Sequence, residues 1–165
     1  MNKIKILFVC LGNICRSPAA EASFTNLVKD CGLSNFFEID SCGTSGYHDG
    51  ELADPRTRLA AKKRNKEITH RSRKFLQRDL EIFDYILAMD KSNYAYLLKS
   101  VSSDTILNKI FLFRSFDKSD EYQEVPDPYY GTTKDFDEVQ LIVEKASFCF
   151  LEFLKEKYPY LRQSI

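Results

Sequence analysis

The sequence has no excess of either charge, since 24 lysines and arginines balance 24 aspartates and glutamates. A chain without a net positive field is a poor binder of polyanions, so we expect no nucleic-acid partner. Histidine is scarce, because the chain has only His48 and His70, both far from paired cysteines. This spacing does not fit a zinc site, and we predict no metal. The balanced charge argues against a nucleic-acid binder, and the small number of histidines argues against a zinc protein.

Long apolar runs are missing as well. The run that opens the chain, Ile6 to Leu11, has six residues and is shorter than the core of a usual secretory signal. No segment approaches the roughly 20 apolar residues of a membrane-spanning helix. We therefore expect no membrane span and no export.

The chain has five cysteines, an odd number, and it is large enough to fold stably without disulfides. This pattern favours free thiols in a reducing compartment, so we expect a cytoplasmic protein. The chain has 165 residues, of which 44% are hydrophobic. It shows no linker, repeat or low-complexity tract, so residues 1–165 are predicted to form a single domain.

The order of the predicted elements indicates an α/β fold. Strands are predicted at 5–10, 37–41, 82–89 and 106–113; helices are predicted from Ser17 to a stop at Gly32, from Asp54-Pro55, over 92–98 and over 136–157. Residues 114–133 show no clear periodicity and are predicted to be a long loop. Strands alternating with helices form a parallel sheet, and ligands bind such sheets beyond the carboxyl ends of the strands.

The turn after the first strand carries the strongest chemical signal. It reads Cys10-Leu-Gly-Asn-Ile-Cys-Arg16-Ser17-Pro18, and we expect Ser17 to cap the helix and Pro18 to take its first position. Amides of a tight loop and a helix N-terminus together bind an anion such as phosphate. Arg16 can add two parallel donors, and Gly12 lets the backbone pass close to the anion.

Cys10 is expected to lie beneath that anion as a thiolate, because a helix N-terminus and a nearby arginine favour the charged sulfur. A thiolate under a bound phosphate is placed to attack phosphorus. The alternative is a buried structural cysteine beside an anion site.

A proton donor for the leaving oxygen is offered by Asp127, which stands between two prolines in the long loop. Its neighbours Tyr129 and Tyr130, with Tyr47 from an earlier loop, could line a slot for an aromatic ring. A solvent-exposed turn aspartate is an equally ordinary interpretation of Asp127 alone.

Taken together, these motifs resemble the low-molecular-weight protein tyrosine phosphatases. The resemblance spans nearly the whole chain in order and rests on the motifs Cys10 to Pro18, Asp40-Ser41 with Gly43-Thr-Ser-Gly46, Asp54-Pro55-Arg56, Met89-Asp90 and Asp127-Pro-Tyr-Tyr130. It implies the phosphotyrosine protein phosphatase I-like fold, a four-stranded parallel sheet with helices on both faces. It also implies hydrolysis of phosphotyrosine in proteins or peptides, and of small aryl phosphates, through a cysteinyl-phosphate intermediate without a cofactor. Phosphate and other oxyanions are implied as inhibitors.

The resemblance also implies roles for individual residues. Cys10 is the implied nucleophile, Arg16 the phosphate clamp, and Asp127 the acid that later serves as base. The phosphate-binding loop is implied to be Leu11, Gly12, Asn13, Ile14, Cys15, Arg16 and Ser17. Supporting roles fall to Ser41, which with Asn13 holds the loop in shape, to His70, which fixes Asn13, and to Asp90, which orients Arg16. The substrate pocket is implied to include Tyr47, Tyr129 and Tyr130.

The other cysteines carry separate expectations. Cys15 resembles the family's second loop cysteine, which can form a disulfide with an oxidised Cys10 and so make activity redox-reversible. Cys42 departs from the family's usual small residue and is expected to pack or to act as another thiol partner. Cys31 and Cys149 lie on core stripes of helices and are expected to be inert.

Three alternatives stay open. An arsenate reductase can share the fold and nucleophile but needs further cysteines as a relay, and residues 43–148 contain none. Protein arginine phosphatases tend to have threonine where this loop has Ile14. A module that binds phosphate without turnover would not need Cys10, Arg16 and Asp127 together.

Overall fold

The computed structural model describes residues 2–162, and within this range four strands form one sheet. The strands are β1 (Ile4–Cys10), β2 (Phe37–Gly43), β3 (Tyr85–Ala88) and β4 (Ile110–Leu112). Their order is β2-β1-β3-β4 and all neighbours run parallel. The predicted four-stranded parallel sheet is confirmed, and β1 lies inside it with Cys10 at its carboxyl end.

Helices cover both faces of this sheet, as predicted. They are α1 (Arg16–Asp30), α2 (Pro55–Lys62), α3 (Asp79–Ile82), α4 (Lys91–Leu98), α5 (Asp104–Leu107) and α6 (Thr133–Lys157). Short 3₁₀ turns occupy Ser34–Phe36, Phe113–Phe116 and Pro159–Arg162. None of the helices within residues 2–162 is long and apolar enough to cross a membrane.

Successive side chains of β1 point to opposite faces of the sheet, so the core has two layers. Ile6, Phe8 and Cys10 belong to the layer that includes buried residues of α1 and α6, while Leu7 and Val9 belong to the layer that includes residues of α3, α4 and α5. Both layers exclude water almost completely along β1, which explains why this strand is a nearly continuous apolar run. The nucleophile candidate therefore stands on the face covered by the longest helix.

The third and fourth strands start later than predicted, at Tyr85 rather than residue 82 and at Ile110 rather than residue 106, and β2 ends at Gly43 rather than residue 41. Ile82 ends the single-turn helix α3, where its backbone N–H donates to the carbonyl of Arg78 at 3.1 Å. Ile106 lies in α5, a turn capped by Ser103, whose hydroxyl accepts the Ile106 N–H at 3.3 Å. Short apolar runs fit either a strand or a helix, and here local hydrogen bonds favour a helical turn.

The start of α1 also differs from the prediction. The helix begins at Arg16 rather than after Ser17, and Cys15 precedes it without a side-chain cap. Pro18 is tolerated within the first turn because the N–H it lacks would have no helical partner there. The Ser17 hydroxyl, which we expected at the cap, faces the sulfur of Cys10 instead.

Candidate active site

The loop between β1 and α1 turns its carbonyl groups away from Cys10. Each of four carbonyls accepts a hydrogen bond from a flanking segment: Cys10 from the N–H of Thr44 at 2.9 Å, Leu11 from the N–H of Ser45 at 2.9 Å, Gly12 from the hydroxyl of Ser72 at 3.1 Å, and Ile14 from the N–H of Asp54 at 2.8 Å. This arrangement leaves backbone N–H groups of the loop for a ligand. It also explains Gly43, where an added Cβ would approach the Leu11 carbonyl to 2.7 Å.

Cys10 lies at the floor of this loop and is 3% exposed. Its sulfur accepts the Asn13 backbone N–H at 3.3 Å and is 3.0 Å from the Ser17 hydroxyl. A thiolate at this position can only accept, and the Asn13 N–H and the Ser17 hydroxyl are the two groups placed to donate to it.

Asn13 holds the loop in shape through its side chain and its backbone. Its φ of 54° lies in the left-handed region, which asparagine tolerates better than most residues. Its Nδ2 donates to the hydroxyls of Ser17 at 2.8 Å and Ser41 at 3.0 Å, while its Oδ1 accepts the Arg73 N–H at 3.0 Å. His70 Nε2 is 2.8 Å from the same Oδ1, so this ring nitrogen must carry a hydrogen.

Beyond His70 lie two carboxylates, Glu21 and Asp40, to which the sequence analysis gave no role, although Asp40 belongs to one of the quoted motifs. Nδ1 of His70 is 3.4 Å from Glu21 and 3.5 Å from Asp40. Burial, together with the negative charge of Asp40, raises the pKa of Glu21 to about 8. Glu21 therefore keeps its proton at neutral pH. Nothing in the local sequence of α1 distinguishes this glutamate from a surface residue.

Glu21, Asp40 and His70 also bring possible metal ligands within 4.8 Å of one another. Both oxygens of Asp40 are already occupied, one by the Ser41 N–H at 2.8 Å and the other by Arg73 Nε at 3.0 Å. Because the Arg73 guanidinium supplies the cation of this cluster, we describe it as an ion-pair network rather than a metal centre.

Arg16 is 3% exposed and fixed at one end of its guanidinium. Nη1 donates to Asp90 at 2.6 Å and to the Val125 carbonyl at 3.2 Å. Burial acts to lower its pKa, but the charges of Cys10, Asp90 and Asp127 outweigh burial and raise it. The permanently charged guanidinium is therefore held in one orientation beside the sulfur. The Val125 contact was not predicted, since any residue can supply a carbonyl.

Asp127 lies at the cleft mouth opposite the loop. Its Oδ2 is 3.6 Å from Nη2 of Arg16, and its Oδ1 accepts the Tyr129 N–H at 3.1 Å. Its side chain is 44% exposed, so water can reach the carboxyl group. Tyr129 and Tyr130 form an edge-to-face pair with centroids 4.9 Å apart.

A cleft of about 430 Å³ joins these features, a volume that suits a small organic ligand. It is lined by Cys10, Leu11, Gly12, Ile14, Cys15, Arg16, Ser45, Tyr47, His48, Asp127, Tyr129 and Tyr130. The structure thus brings the predicted catalytic and pocket residues together. Asn13, Ser17, Ser41, His70 and Asp90 stand behind this lining.

The remaining thiols differ in their surroundings. Burial outweighs a hydrogen bond from Thr57 and, with smaller contributions from the charges of Asp54 and Cys10, raises the pKa of Cys15 to about 12. Burial also raises the pKa of Cys42 well above its usual value, and this side chain packs in the core layer on the opposite face of the sheet from Cys10. All five thiols, which lie within the described residues, are unpaired.

Comparison with known proteins gives one consistent result. A family model described as low molecular weight phosphotyrosine protein phosphatase matches residues 5–160. The chain is 44% identical over 150 residues to the low molecular weight phosphotyrosine protein phosphatase of Schizosaccharomyces pombe, covering 89% of this chain and 96% of that protein.

Solved structures agree with this match. The crystal structure of a protein tyrosine phosphatase from Entamoeba histolytica, with Hepes in its active site, superposes with a TM-score of 0.90 at 42% identity, covering 94% of this chain and 99% of that one. A drosophila arginine phosphatase superposes with a TM-score of 0.86 at 31% identity, covering 92% of this chain and 98% of that one.

Proposed function

Because this chain belongs to the low molecular weight phosphotyrosine protein phosphatase family, we propose that it hydrolyses phosphotyrosine in proteins, with Cys10, Arg16 and Asp127 as its catalytic residues. The observation that carries the proposal is the position of the Cys10 sulfur. It accepts the Asn13 N–H and lies 3.0 Å from the Ser17 hydroxyl, beneath a loop whose carbonyls point away, with Arg16 alongside. Such a site favours an anion above the sulfur.

The first chemical step is attack of the Cys10 thiolate on phosphorus. The S–P bond forms as the bond from phosphorus to the aryl oxygen breaks, and the bonding electron pair leaves with that oxygen. Asp127 donates its proton to the oxygen, so that a neutral tyrosine departs. Arg16 and the loop amides stabilise the charge on the other phosphate oxygens, and the Ser17 hydroxyl stabilises the sulfur.

The second step returns the enzyme to its starting state. Asp127, now a carboxylate, takes a proton from water as the water oxygen attacks phosphorus. The S–P bond breaks, the thiolate leaves, and inorganic phosphate is released. Since both the attacking and leaving oxygens pass the same position, one carboxyl group serves as acid and then as base.

The lining of the cleft supports an aromatic substrate. Tyr47, Tyr129 and Tyr130 surround its mouth, and Ile14 contributes an apolar wall beside the loop. Aromatic and apolar side chains of this kind suit the phenyl ring of a phosphotyrosine. Phosphoarginine is nevertheless the second substrate to test, because of the likeness to the drosophila arginine phosphatase.

The location and partners of the protein follow as further parts of the proposal. Five unpaired thiols, one of them the proposed nucleophile, function best in a reducing compartment, which supports a cytoplasmic location. The proposed partners are phosphotyrosine-containing proteins, and phosphate and other oxyanions are proposed to compete for the loop.

A phosphopeptide panel in the presence of a chelator tests the substrate class. We expect phosphate release from phosphotyrosine peptides, little release from phosphoarginine and no reduction of arsenate. Cys10→Ser is expected to abolish turnover, whereas Cys31→Ser, a cysteine at the far end of α1, serves as the matched control. Detection of phosphate on Cys10 in quenched reactions supports the intermediate; preferred release from phosphoarginine, or full turnover by Cys10→Ser, contradicts the proposal.

A further inference from the structure

Arg56 lies in the first turn of α2 and belongs to the Asp54-Pro55-Arg56 motif, and its side chain has no role in the steps above. Its Nε and Nη2 donate to the two carboxylate oxygens of Asp54 at 3.0 and 2.9 Å. This two-point contact fixes the plane of the guanidinium. The lining of the cleft includes Tyr129 but not Arg56, so the arginine acts from outside the substrate site.

The fixed guanidinium lies between two aromatic rings. Its central carbon is 4.4 Å from the ring centroid of Phe136 and 5.4 Å from that of Tyr129. Phe136 belongs to α6 and is 1% exposed, whereas Tyr129 is 37% exposed and belongs to the loop of Asp127. Arg56 therefore joins a firmly buried ring to a half-exposed one.

Tyr129 is in turn tied to the proposed acid. Its backbone N–H donates to Asp127 Oδ1 at 3.1 Å, and only Pro128 separates the two residues. The Asp127 carboxyl group is half-exposed, and its other recorded polar contact is the ion pair with Arg16 at 3.6 Å. The orientation of Asp127 therefore depends in part on where Tyr129 is held.

We propose that Arg56 is a positioning residue, which holds Tyr129 against α2 and α6 and thereby directs the Asp127 carboxyl group at the leaving oxygen. This inference rests on the proposed function, because it requires Asp127 to be the acid. Arg56 touches no reacting atom. Its loss should therefore slow only those reactions that need the proton from Asp127.

The effect can be estimated from the contact with Tyr129. A cation over an aromatic ring at an exposed site shifts an equilibrium by about two- to fivefold. We expect Arg56→Gln to lower kcat/KM by about that factor for phenyl phosphate, whose leaving group is as basic as tyrosine. For p-nitrophenyl phosphate, whose leaving group departs without a proton, we expect little change.

The experiment compares kcat/KM for both substrates in Arg56→Gln, Arg56→Lys, Asp127→Asn and the double variant Arg56→Gln/Asp127→Asn. Lys62→Met, which removes an exposed cation from the last residue of α2, is the matched control. Arg56→Lys keeps a cation near the ring and should recover part of the loss. In the Asp127→Asn background, removal of Arg56 should have no further effect, because there is no acid left to position.

The outcomes separate this inference from the proposed function. If Asp127→Asn itself slows both substrates equally, the acid assignment fails and the inference fails with it. If Asp127→Asn is selective but Arg56→Gln slows both substrates equally, slows neither, or acts as strongly without Asp127, only the role of Arg56 is overturned. Thermal unfolding of each variant shows whether an equal loss reflects loss of the fold.

Discussion

The side chain of Asn13 is expected to contribute far more to the free energy of unfolding than that of Asn65, whose backbone is also left-handed. Asn13 and Asn65 both have left-handed backbones, with φ of 54° and 58°. Asn13 is fully buried, whereas Asn65 is exposed in the turn after α2. Replacement by alanine costs roughly 1 kcal/mol of stability at either position, because alanine lacks the short polar side chain that helps asparagine adopt the left-handed region.

The further cost at Asn13 comes from the hydrogen bonds of its amide. Its Nδ2 bonds to Ser17 and Ser41, both completely buried, cannot be replaced by water. Each such bond contributes about 1 kcal/mol, and partners left unsatisfied in the core add to the loss. Its Oδ1 contacts with His70 and Arg73 lie nearer solvent and cost less. We expect Asn13→Ala to lose about 3 to 5 kcal/mol in total.

Equilibrium unfolding in urea at neutral pH, without phosphate, measures both variants. Asn65→Ala should lose about 1 kcal/mol, so the difference between the two variants is about 2 to 4 kcal/mol. Asn13→Gly and Asn65→Gly remove the backbone cost and should retain the same difference. Equal losses at the two positions would show that the network around Asn13 does not stabilise the fold.

Three further changes test other parts of the structure. The pKa of Glu21 is about 8 in the folded protein and near 4.5 in the unfolded chain. The free energy of unfolding should therefore fall as pH rises between these values, by at most about 1.4 kcal/mol per pH unit. Glu21→Gln should make this dependence on pH weaker, as measured by urea titrations at several pH values. Cys15→Ser should make inactivation by peroxide irreversible, whereas the unaltered protein, in which we expect an oxidised Cys10 to form a disulfide with Cys15, should regain activity with a thiol reductant. Glu144→Gln weakens contacts with Arg64 and Lys66 at 2.5 Å, and the free energy of unfolding should fall by about 1 to 2 kcal/mol.

For each of these three predictions, one specific result would contradict it. An unchanged pH slope in Glu21→Gln would assign the retained proton to another group. Full recovery of Cys15→Ser after peroxide, with Cys42→Ala behaving like the unaltered protein, would remove the disulfide from the protection of Cys10. If Glu144→Gln is as stable as the variant Glu152→Gln, whose carboxylate forms an exposed pair on the same helix, the contacts of Glu144 are not stabilising.

The parts of the fold with strong periodicity could be predicted from the sequence. β1 was predicted within one residue, because both of its faces are buried and only Lys5 interrupts its run of apolar residues. α6 was predicted from its apolar stripe, but three residues late. Its first turn is set by a capping box between Thr132 and Asp135 rather than by hydrophobic residues.

The site was predicted as a set of residues but not as a network. Cys10, Arg16 and Asp127 carry side-chain chemistry that a sequence displays. The Val125 carbonyl and the Arg73 N–H are backbone groups, which any residue provides, and only the folded chain shows where they lie. Glu21 was missed for a different reason: its chemistry is visible in the sequence, but its burial is not.

The position of α6 bears on how the enzyme is made. The helix covers the face of the sheet that carries Cys10, and it packs on α1 near the other end of the chain. A ribosome that has delivered only the first hundred residues has already exposed the nucleophile, but neither the acid nor the helix that closes the core. A nascent chain therefore has no organised active site before α6 has been synthesised, and a chain that stops before residue 133 would expose the apolar surface that α6 covers.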